Sequence, residues 1–156
     1  MNDNGNNINK NKQDCIILIE NADGAYFTTI DLEGFPQTRV LFNLRNREQF
    51  PNHANIFEDH NKDFMLIFST NTSSSKIEHI KTNPNVCAYF RKEWEGIMLK
   101  GVIEIVTDDE FKKIVWEEGW EKYYRYGVTD PDFTVLKLLP KYGRYYHQLR
   151  IDEFEL

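Results

Sequence analysis

Residues 64–76 read FMLIFSTNTSSSK, and this stretch joins the pattern of a buried strand to that of a polar binding loop. Phe64–Phe68 are continuously apolar, which is typical of a strand that is buried on both faces. Hydroxyl side chains then crowd residues 69–75, and a lysine, Lys76, follows them. The sequence therefore predicts that a core strand ends in a loop rich in hydrogen-bond donors.

A helix is predicted directly after this loop, because Ser75 and Glu78 form a capping-box pattern. The helix should end at Thr82, before the Asn83-Pro84 pair. Free backbone N–H groups and the helix dipole give positive potential at a helix N-terminus, and Lys76 adds a full charge. These features suit an anion, such as a phosphate monoester. The glycines of a Walker loop are missing, and the hydroxyl groups could instead serve only as helix caps.

Further strands are predicted on both sides of this stretch. Two runs of β-forming residues flank the tight turn Asp31–Gly34 and indicate a hairpin. The complete set of predicted strands is Ala25–Ile30, Gln37–Leu44, Phe64–Phe68, Val86–Phe90, Ile97–Val106, Thr134–Leu139 and Tyr142–His147, the last two separated by Pro140. Gly101 lies inside a long strand, which suggests a bulge or a close backbone approach. Six or so strands with short helices at their connections favour a mainly β fold, an antiparallel barrel that is closed or nearly closed.

The length of 156 residues predicts one domain, which we place at residues 13–150. Met1–Lys12 are polar and rich in asparagine, so we expect a disordered tail there, and residues 151–156 are expected to form a C-terminal tail. Apolar residues at helical spacing indicate a short amphipathic helix from Asp14 that stops before Gly24. A short helical turn is also predicted at Ala54–Asp59.

Composition excludes several functional classes. The formal net charge of −6 and the pI of about 5.2 do not suit a protein that binds duplex nucleic acid. No apolar run approaches the ~20 residues that a membrane span needs, so the chain is expected to be soluble and cytoplasmic. Cys15 and Cys87 lie far apart and are expected to be half-buried thiols. The four histidines show no metal-ligand spacing, so no metal site is predicted.

Two segments together resemble a known family. Thr38–Phe42 on the second strand, followed by Thr70-Asn71 and Ser74–Lys76, is similar to the FMN-binding pattern of the pyridoxamine 5′-phosphate oxidase-like split barrels. The likeness spans roughly Asp14–His147, and Asp130–Asp132 resembles the branch of general stress protein 26. This resemblance implies an antiparallel six-stranded FMN-binding split β-barrel with peripheral helices. It also implies a flavin-dependent oxidoreductase, a homodimer with flavin at the subunit interface, and NADH or NADPH as a candidate reductant.

The resemblance also implies which residues bind the cofactor. On the second strand Arg39 would reach the FMN phosphate or ribityl chain, and the backbone of Val40 and Leu41 would face the isoalloxazine ring. In the loop, the implied residues are Ser69 and Thr70 along the ring edge and ribityl chain, and Ser74, Ser75 and Lys76 at the phosphate. A dianionic phosphate suits two cations with neutral donors, since each charge-assisted hydrogen bond contributes about 1.5–3 kcal/mol.

The chain departs from the oxidases of that family at three places. The oxidases have an arginine where this chain has Ser75, and a glutamine that reaches flavin would fall near Gly96. Their C-terminal substrate motif has no counterpart in Gly143–His147. These differences argue against pyridoxamine phosphate as the substrate and leave the substrate unidentified.

Trp116 or Trp120 is a candidate wall of a substrate space above the flavin, although tryptophans of this kind are also common core anchors. No catalytic side chain is assigned, because the flavin itself would carry out the redox chemistry. One alternative is a non-catalytic binder of FMN or of another planar cofactor, deazaflavin or haem. Another is a single-strand nucleic-acid binder that stacks bases on aromatic rings, which the acidic composition disfavours.

Overall fold

The computed structural model describes residues 3–156, and side chains from residue 11 onward. Within that range seven strands form one sheet, and four α-helices lie at its connections. The helices are α1 Asp3–Asn21, α2 Ala54–Phe57, α3 Ser75–Thr82 and α4 Asp109–Val115. The strands are β1 Gly24–Ile30, β2 Pro36–Phe42, β3 Leu66–Asn71, β4 Asn85–Lys92, β5 Glu95–Val106, β6 Phe133–His147 and β7 Arg150–Glu155. None of these helices is long and apolar enough to cross a membrane.

The sheet curls into a split barrel. Its strand order is β2-β1-β4-β5-β6-β3, every neighbouring pair is antiparallel, and β7 pairs with the second half of β6. The two end strands of this path, β2 and β3, approach each other without pairing with each other. The predicted fold class, a mainly β antiparallel split barrel with short helices, is confirmed.

Strand β3 is buried on both faces because it separates two hydrophobic clusters, as the run Phe64–Phe68 predicts. Leu66 and Phe68 face the barrel interior, where α1 and the inward residues of the strands pack, and the Phe68 ring centroid lies 5.0 Å from that of Phe27. Met65 and Ile67 face a second cluster on the outer side. This outer cluster consists of Leu44, Phe50, Phe57, Met65, Ile67, Val115, Trp120, Tyr124, Phe133 and Val135.

Both chain ends contain more regular structure than the sequence suggested. Helix α1 begins at Asp3 and not at Asp14, so Asp3–Lys12 of the expected tail are helical, while Met1 and Asn2 lie outside the described residues. Once the apolar turns of a helix are docked, each further turn costs little free energy. Residues 151–156, also expected to be a tail, form most of β7, and the Asp152 carboxylate accepts a hydrogen bond of 2.9 Å from Asn11.

The two strands expected on either side of Pro140 form one continuous strand, β6. Pro140 lies opposite Gly101, where the register between β5 and β6 shifts. The N–H that proline lacks therefore falls at an irregularity in the ladder, where it is not needed. A Cβ atom on Gly101 would lie 2.9 Å from a backbone oxygen of β6, which explains the glycine and confirms the predicted close approach.

Phe154→Ala should show that β7 is an integral part of the core. The Phe154 ring is 9% exposed, covers Gly143 and lies 5.8 Å from the ring of Phe64. Because large-to-small changes in a core leave a cavity, we expect a loss of about 3 kcal/mol in the free energy of unfolding, measured by chemical denaturation. The control is Phe35→Ala, at a residue that is 62% exposed, where a change within about 0.5 kcal/mol is expected. Equal losses would mean that β7 is peripheral.

Candidate functional site

A groove of about 480 Å³ lies where the two ends of the sheet approach each other. Its size is in the range of small-molecule sites. It is lined by residues of β2, of β3, of the first turn of α3, of the segment after α4, and of the loops before β1 and after β2. These residues are Asp23, Val40, Leu41, Phe42, Gln49, Ser69, Thr70, Asn71, Lys76, Trp120, Tyr123 and Tyr124. Of the residues that the sequence singled out, the groove brings together Val40, Leu41, Ser69, Thr70, Lys76 and Trp120.

Arg39 is not among the residues that line this groove, although it directly precedes Val40 and Leu41 on β2. Its guanidinium is held in place by its own strand and by β1. Its Nη1 donates to the Thr29 hydroxyl oxygen at 2.7 Å and to the Gln37 carbonyl at 2.7 Å, with a longer contact of 3.4 Å to the Phe27 carbonyl. Partial burial lowers the pKa of Arg39 from its usual value. Since arginine stays charged in proteins, the strand presents a fixed cation.

The support of Arg39 extends to helix α3 through two buried residues. Thr29 is fully buried, and its hydroxyl lies 2.9 Å from Nδ1 of His79. Arginine can only donate, so the Thr29 oxygen accepts from Arg39 and its own hydrogen is available to His79. Sequence reasoning missed this chain of contacts. The available signal was a polar residue, Thr29, at the inward position that continues the alternation of Ala25 and Phe27 along β1.

Lys76 provides a second cation close to the first. Its ammonium group donates to the Thr70 hydroxyl at 2.8 Å. Burial, and secondly the charge of Arg39, lower the pKa of Lys76. Among residues 11–156 no carboxylate lies within 4.0 Å of either Arg39 or Lys76. Two neighbouring like charges without a counter-ion oppose each other, so an anion placed between them would be stabilised.

The hydroxyl-rich loop divides into structural and available groups. Ser74, and not Ser75, is the N-cap residue of α3, and its hydroxyl donates to the Asn71 carbonyl at 2.8 Å. The Thr72 hydroxyl donates to a carbonyl of the segment at 131–132, so it does not face the groove as a donor. Ser75 is exposed at the first turn of the helix. The predicted capping box of Ser75 and Glu78 is therefore wrong, because the N-cap residue is Ser74 and its side chain makes no capping hydrogen bond. Part of the hydroxyl cluster only shapes the loop.

Asp132 fixes the position of this loop. Its carboxylate accepts from the Asn71 side chain at 2.7 Å and from the Ser73 amide at 2.7 Å. These two hydrogen bonds favour the ionised form and lower the pKa of Asp132. The Asp132 carboxylate thus binds two neutral donors and does not neutralise the charge of Lys76.

Aromatic rings close the other side of the groove. The Trp120 ring stacks on Phe42 with centroids 6.0 Å apart and an interplanar angle of 11°, and Tyr123 lies 6.3 Å from Phe42. Trp116 does not line the groove. It packs behind the groove in edge-to-face contacts, with its ring centroid 6.0 Å from that of Trp120 and 5.1 Å from that of Phe133. The structure thus separates the two tryptophans that the sequence offered as equivalent candidates.

Other parts of the described chain are less suited to an anionic ligand. A cleft of about 880 Å³ contains Arg47, Arg91 and Lys92, but acidic residues are interleaved with them and Arg47 pairs with Glu20 at 2.9 Å. A second cleft, of about 730 Å³, is lined by more carboxylates than cations. Within the described residues no group of three or more His, Cys, Asp and Glu side chains is arranged to hold a metal ion. The groove with Arg39 and Lys76 is therefore the best candidate site.

Comparison with known proteins agrees with this architecture. The family model described as pyridoxamine 5′-phosphate oxidase like matches residues 53–151. The chain belongs to this family. The match includes the loop and Lys76 but not Arg39, Val40 and Leu41. The part of the groove that β2 forms is therefore seen in the structure and is not covered by the family match. A search of curated proteins found no match.

Solved structures of the same fold cover nearly the whole chain. A protein related to general stress protein 26, from Clostridium acetobutylicum, is 29% identical, covers 94% of this chain and 95% of its own, and has a TM-score of 0.77. General stress protein 26 from Bacillus anthracis is 18% identical, covers 93% and 98%, and has a TM-score of 0.68. A haem-binding protein from Mycobacterium smegmatis is 12% identical, covers 92% and 57%, and has a TM-score of 0.64. The family resemblance inferred from the sequence is confirmed.

Inorganic phosphate should stabilise the ligand-free protein, because it can sit between Arg39 and Lys76. At constant ionic strength, with chloride as the reference anion, saturating phosphate should raise the melting temperature by about 2–4 °C in differential scanning fluorimetry. Lys76→Met should lose most of this rise. Lys81→Met, at an exposed position of the same helix, should retain it. An equal response of both variants would mean that the anion binds elsewhere.

Proposed function

We propose that this chain is a cytoplasmic FMN-binding protein that acts as a flavin-dependent oxidoreductase on a small molecule other than pyridoxamine phosphate. The observation that carries the proposal is the pair Arg39 and Lys76, neither of which has a carboxylate within 4.0 Å among residues 11–156. Lys76 lines a groove whose walls include apolar and aromatic side chains, and the charge of Arg39 acts on it. A molecule with a phosphate at one end and a flat ring system at the other matches both parts.

The residues present fit the phosphate of FMN. Arg39 is oriented by its bonds to β1 and β2, whereas Lys76 is held by a single bond to Thr70 and can turn toward an anion. The first turn of α3 adds backbone N–H groups and the exposed hydroxyl of Ser75. Two cations and several neutral donors match a dianion in charge.

The residues present also fit a flavin ring. β2 is an end strand of the six-strand path, so one side of its backbone at Val40 and Leu41 can bond the polar edge of a ring. Trp120 and Phe42 provide a stacked aromatic wall for the ring. Bound flavin would supply hydride or single-electron transfer. The protein side chains would then bind and orient, and none of them has to act as an acid or base.

A second copy of the chain would complete the site. An apolar row on the outer face of the sheet begins at Val40 of the groove and offers a surface that a second copy can cover. Val40 pairs with Tyr26, Tyr26 with Tyr89, and Tyr89 with Met98, so their side chains share one face. Tyr89 is 37% exposed, and its hydroxyl end lies against Gly96, where a Cβ atom would collide with it. Contiguous exposed apolar surface of this kind marks interfaces. We propose that a second copy covers it and that flavin lies at the subunit interface.

The second candidate is a non-catalytic carrier of FMN or of another planar cofactor, deazaflavin or haem. It is kept because the fold is shared with a haem-binding protein and because Ser75 leaves the phosphate site with two cations. Against haem, none of the four histidines is among the groove residues, and each makes a close polar contact with another part of the chain.

FMN titration should locate the phosphate site. Purified protein should be yellow, and Lys76→Ala should weaken FMN binding by about tenfold or more, since one charge-assisted hydrogen bond is lost. Lys81→Ala is the matched control and should bind FMN like the wild type. Colourless protein whose melting temperature does not respond to FMN would exclude the proposal, and equal losses in both variants would show that the phosphate is held elsewhere.

Anaerobic mixing with NADH or NADPH separates the enzyme from the carrier. Loss of the flavin absorbance band faster than for free FMN under the same conditions is expected for an oxidoreductase. Reduction no faster than that of free flavin would favour the carrier.

Native mass spectrometry of the protein as isolated should report two chains with two FMN molecules. Tyr89→Arg places a charge in the apolar row and should shift the assembly to monomers with a lower flavin content. Tyr126→Arg, at another exposed tyrosine, should leave the dimer intact. A wild-type protein that is monomeric and fully loaded with FMN would contradict the interface.

A further inference from the structure

His53 is buried beside the groove and one of its protons can be assigned from geometry. Its side chain is 1% exposed. Its Nε2 lies 2.8 Å from the carbonyl oxygen of Val115, at the end of α4. A carbonyl oxygen can only accept a hydrogen bond, so Nε2 carries a hydrogen.

The second ring nitrogen of His53 faces a carboxylate. Nδ1 lies 3.2 Å from Oε2 of Glu117 but has no well-aligned hydrogen-bond partner within the described part of the chain. If Nδ1 had no proton, its lone pair would point at the carboxylate and a buried polar atom would remain unpaired, which is costly. Imidazole is a stronger base than a carboxylate, so a shared proton belongs on Nδ1. The arrangement then becomes an imidazolium–carboxylate pair.

A stack of three rings leads from this pair to the groove. The His53 ring lies 6.3 Å from the ring of Trp120 at an interplanar angle of 23°, and Trp120 in turn stacks on Phe42 at 6.0 Å and 11°. Phe50 packs edge-on against His53 at 5.8 Å. A cationic ring over an indole face is more favourable than a neutral one. A positive charge on His53 would therefore hold the Trp120 indole against the His53 ring.

We propose that the buried His53–Glu117 pair positions the indole of Trp120 as the wall of the groove. His53 and Glu117 do not line the groove themselves, so they act through Trp120 as positioning residues. Among residues 11–156, Glu117 is the charged side chain that lies within 4.0 Å of His53, and Asn52 is the further polar contact of Glu117, at 3.4 Å. The effect on flavin binding rests on the proposed function, whereas the effect on Trp120 does not.

The ligand-free protein provides the first test. At neutral pH, ¹⁵N NMR of the His53 ring should show both nitrogens protonated. Glu117→Gln should leave only Nε2 protonated and should shift the indole N–H resonance of Trp120. Glu118→Gln, the exposed neighbour, should change neither signal. A wild-type Nδ1 without a proton, or a Trp120 resonance that does not respond to Glu117→Gln, would overturn the inference.

Flavin affinity provides the second test and separates this inference from the proposed function. Glu117→Gln should weaken FMN and riboflavin equally, by about two- to fivefold, because it acts on the ring wall and not on the phosphate. Unchanged affinities of a binding-competent protein would overturn the inference. If wild-type protein binds neither flavin while the NMR results are as expected, the proposed function fails and the positioning of Trp120 stands.

Discussion

The candidate site depends on one electrostatic constraint, the presence of two neighbouring cations that have no carboxylate partner within residues 11–156. Arg39 lies on β2 and Lys76 lies on α3, just after β3, and the curl of the barrel brings these two ends of the sheet path together. Burial and mutual repulsion make this arrangement unfavourable in the ligand-free chain. A folded protein retains such a cost most readily where function needs it, and an anionic ligand would remove it.

The rest of the fold holds Arg39 and Lys76 in place. β3 is clamped between two hydrophobic clusters, so the loop that follows it leaves the core at a fixed point. Asp132 then holds the loop through Asn71 and Ser73. On the other side, Thr29 and His79 link Arg39 to the helix that contains Lys76. The barrel therefore fixes both cations from its core and not from its surface.

Local patterns in the sequence were sufficient for most strands and for the polar loop, because alternation, apolar runs and turn residues act over a few positions. They were not sufficient where a distant partner decides the outcome. Pro140 continues a strand only because Gly101 lies opposite it, and β7 forms only because β6 offers a free edge. The capping box expected from Ser75 and Glu78 does not form, and the Ser74 hydroxyl instead binds the carbonyl of Asn71 in the preceding loop.

The same distinction applies to the site. Arg39, Lys76 and the hydroxyl cluster could be proposed from the order of two motifs, and the groove brings together six of the ten residues named from sequence. The ring stack joins Trp120 to His53 and Phe42, which lie 67 and 78 residues before it in the sequence, and it leaves no local signal. It also separates Trp120 from Trp116, which the sequence alone treats alike.

Comparison of FMN with riboflavin tests the central claim most directly, because the two ligands share the ring and the ribityl chain and differ in the phosphate. Isothermal titration of the wild-type protein should give an affinity for FMN at least about tenfold higher than for riboflavin, and Arg39→Ala combined with Lys76→Ala should remove that preference. Equal affinities of the wild-type protein for the two ligands would show that the cation pair does not bind the phosphate.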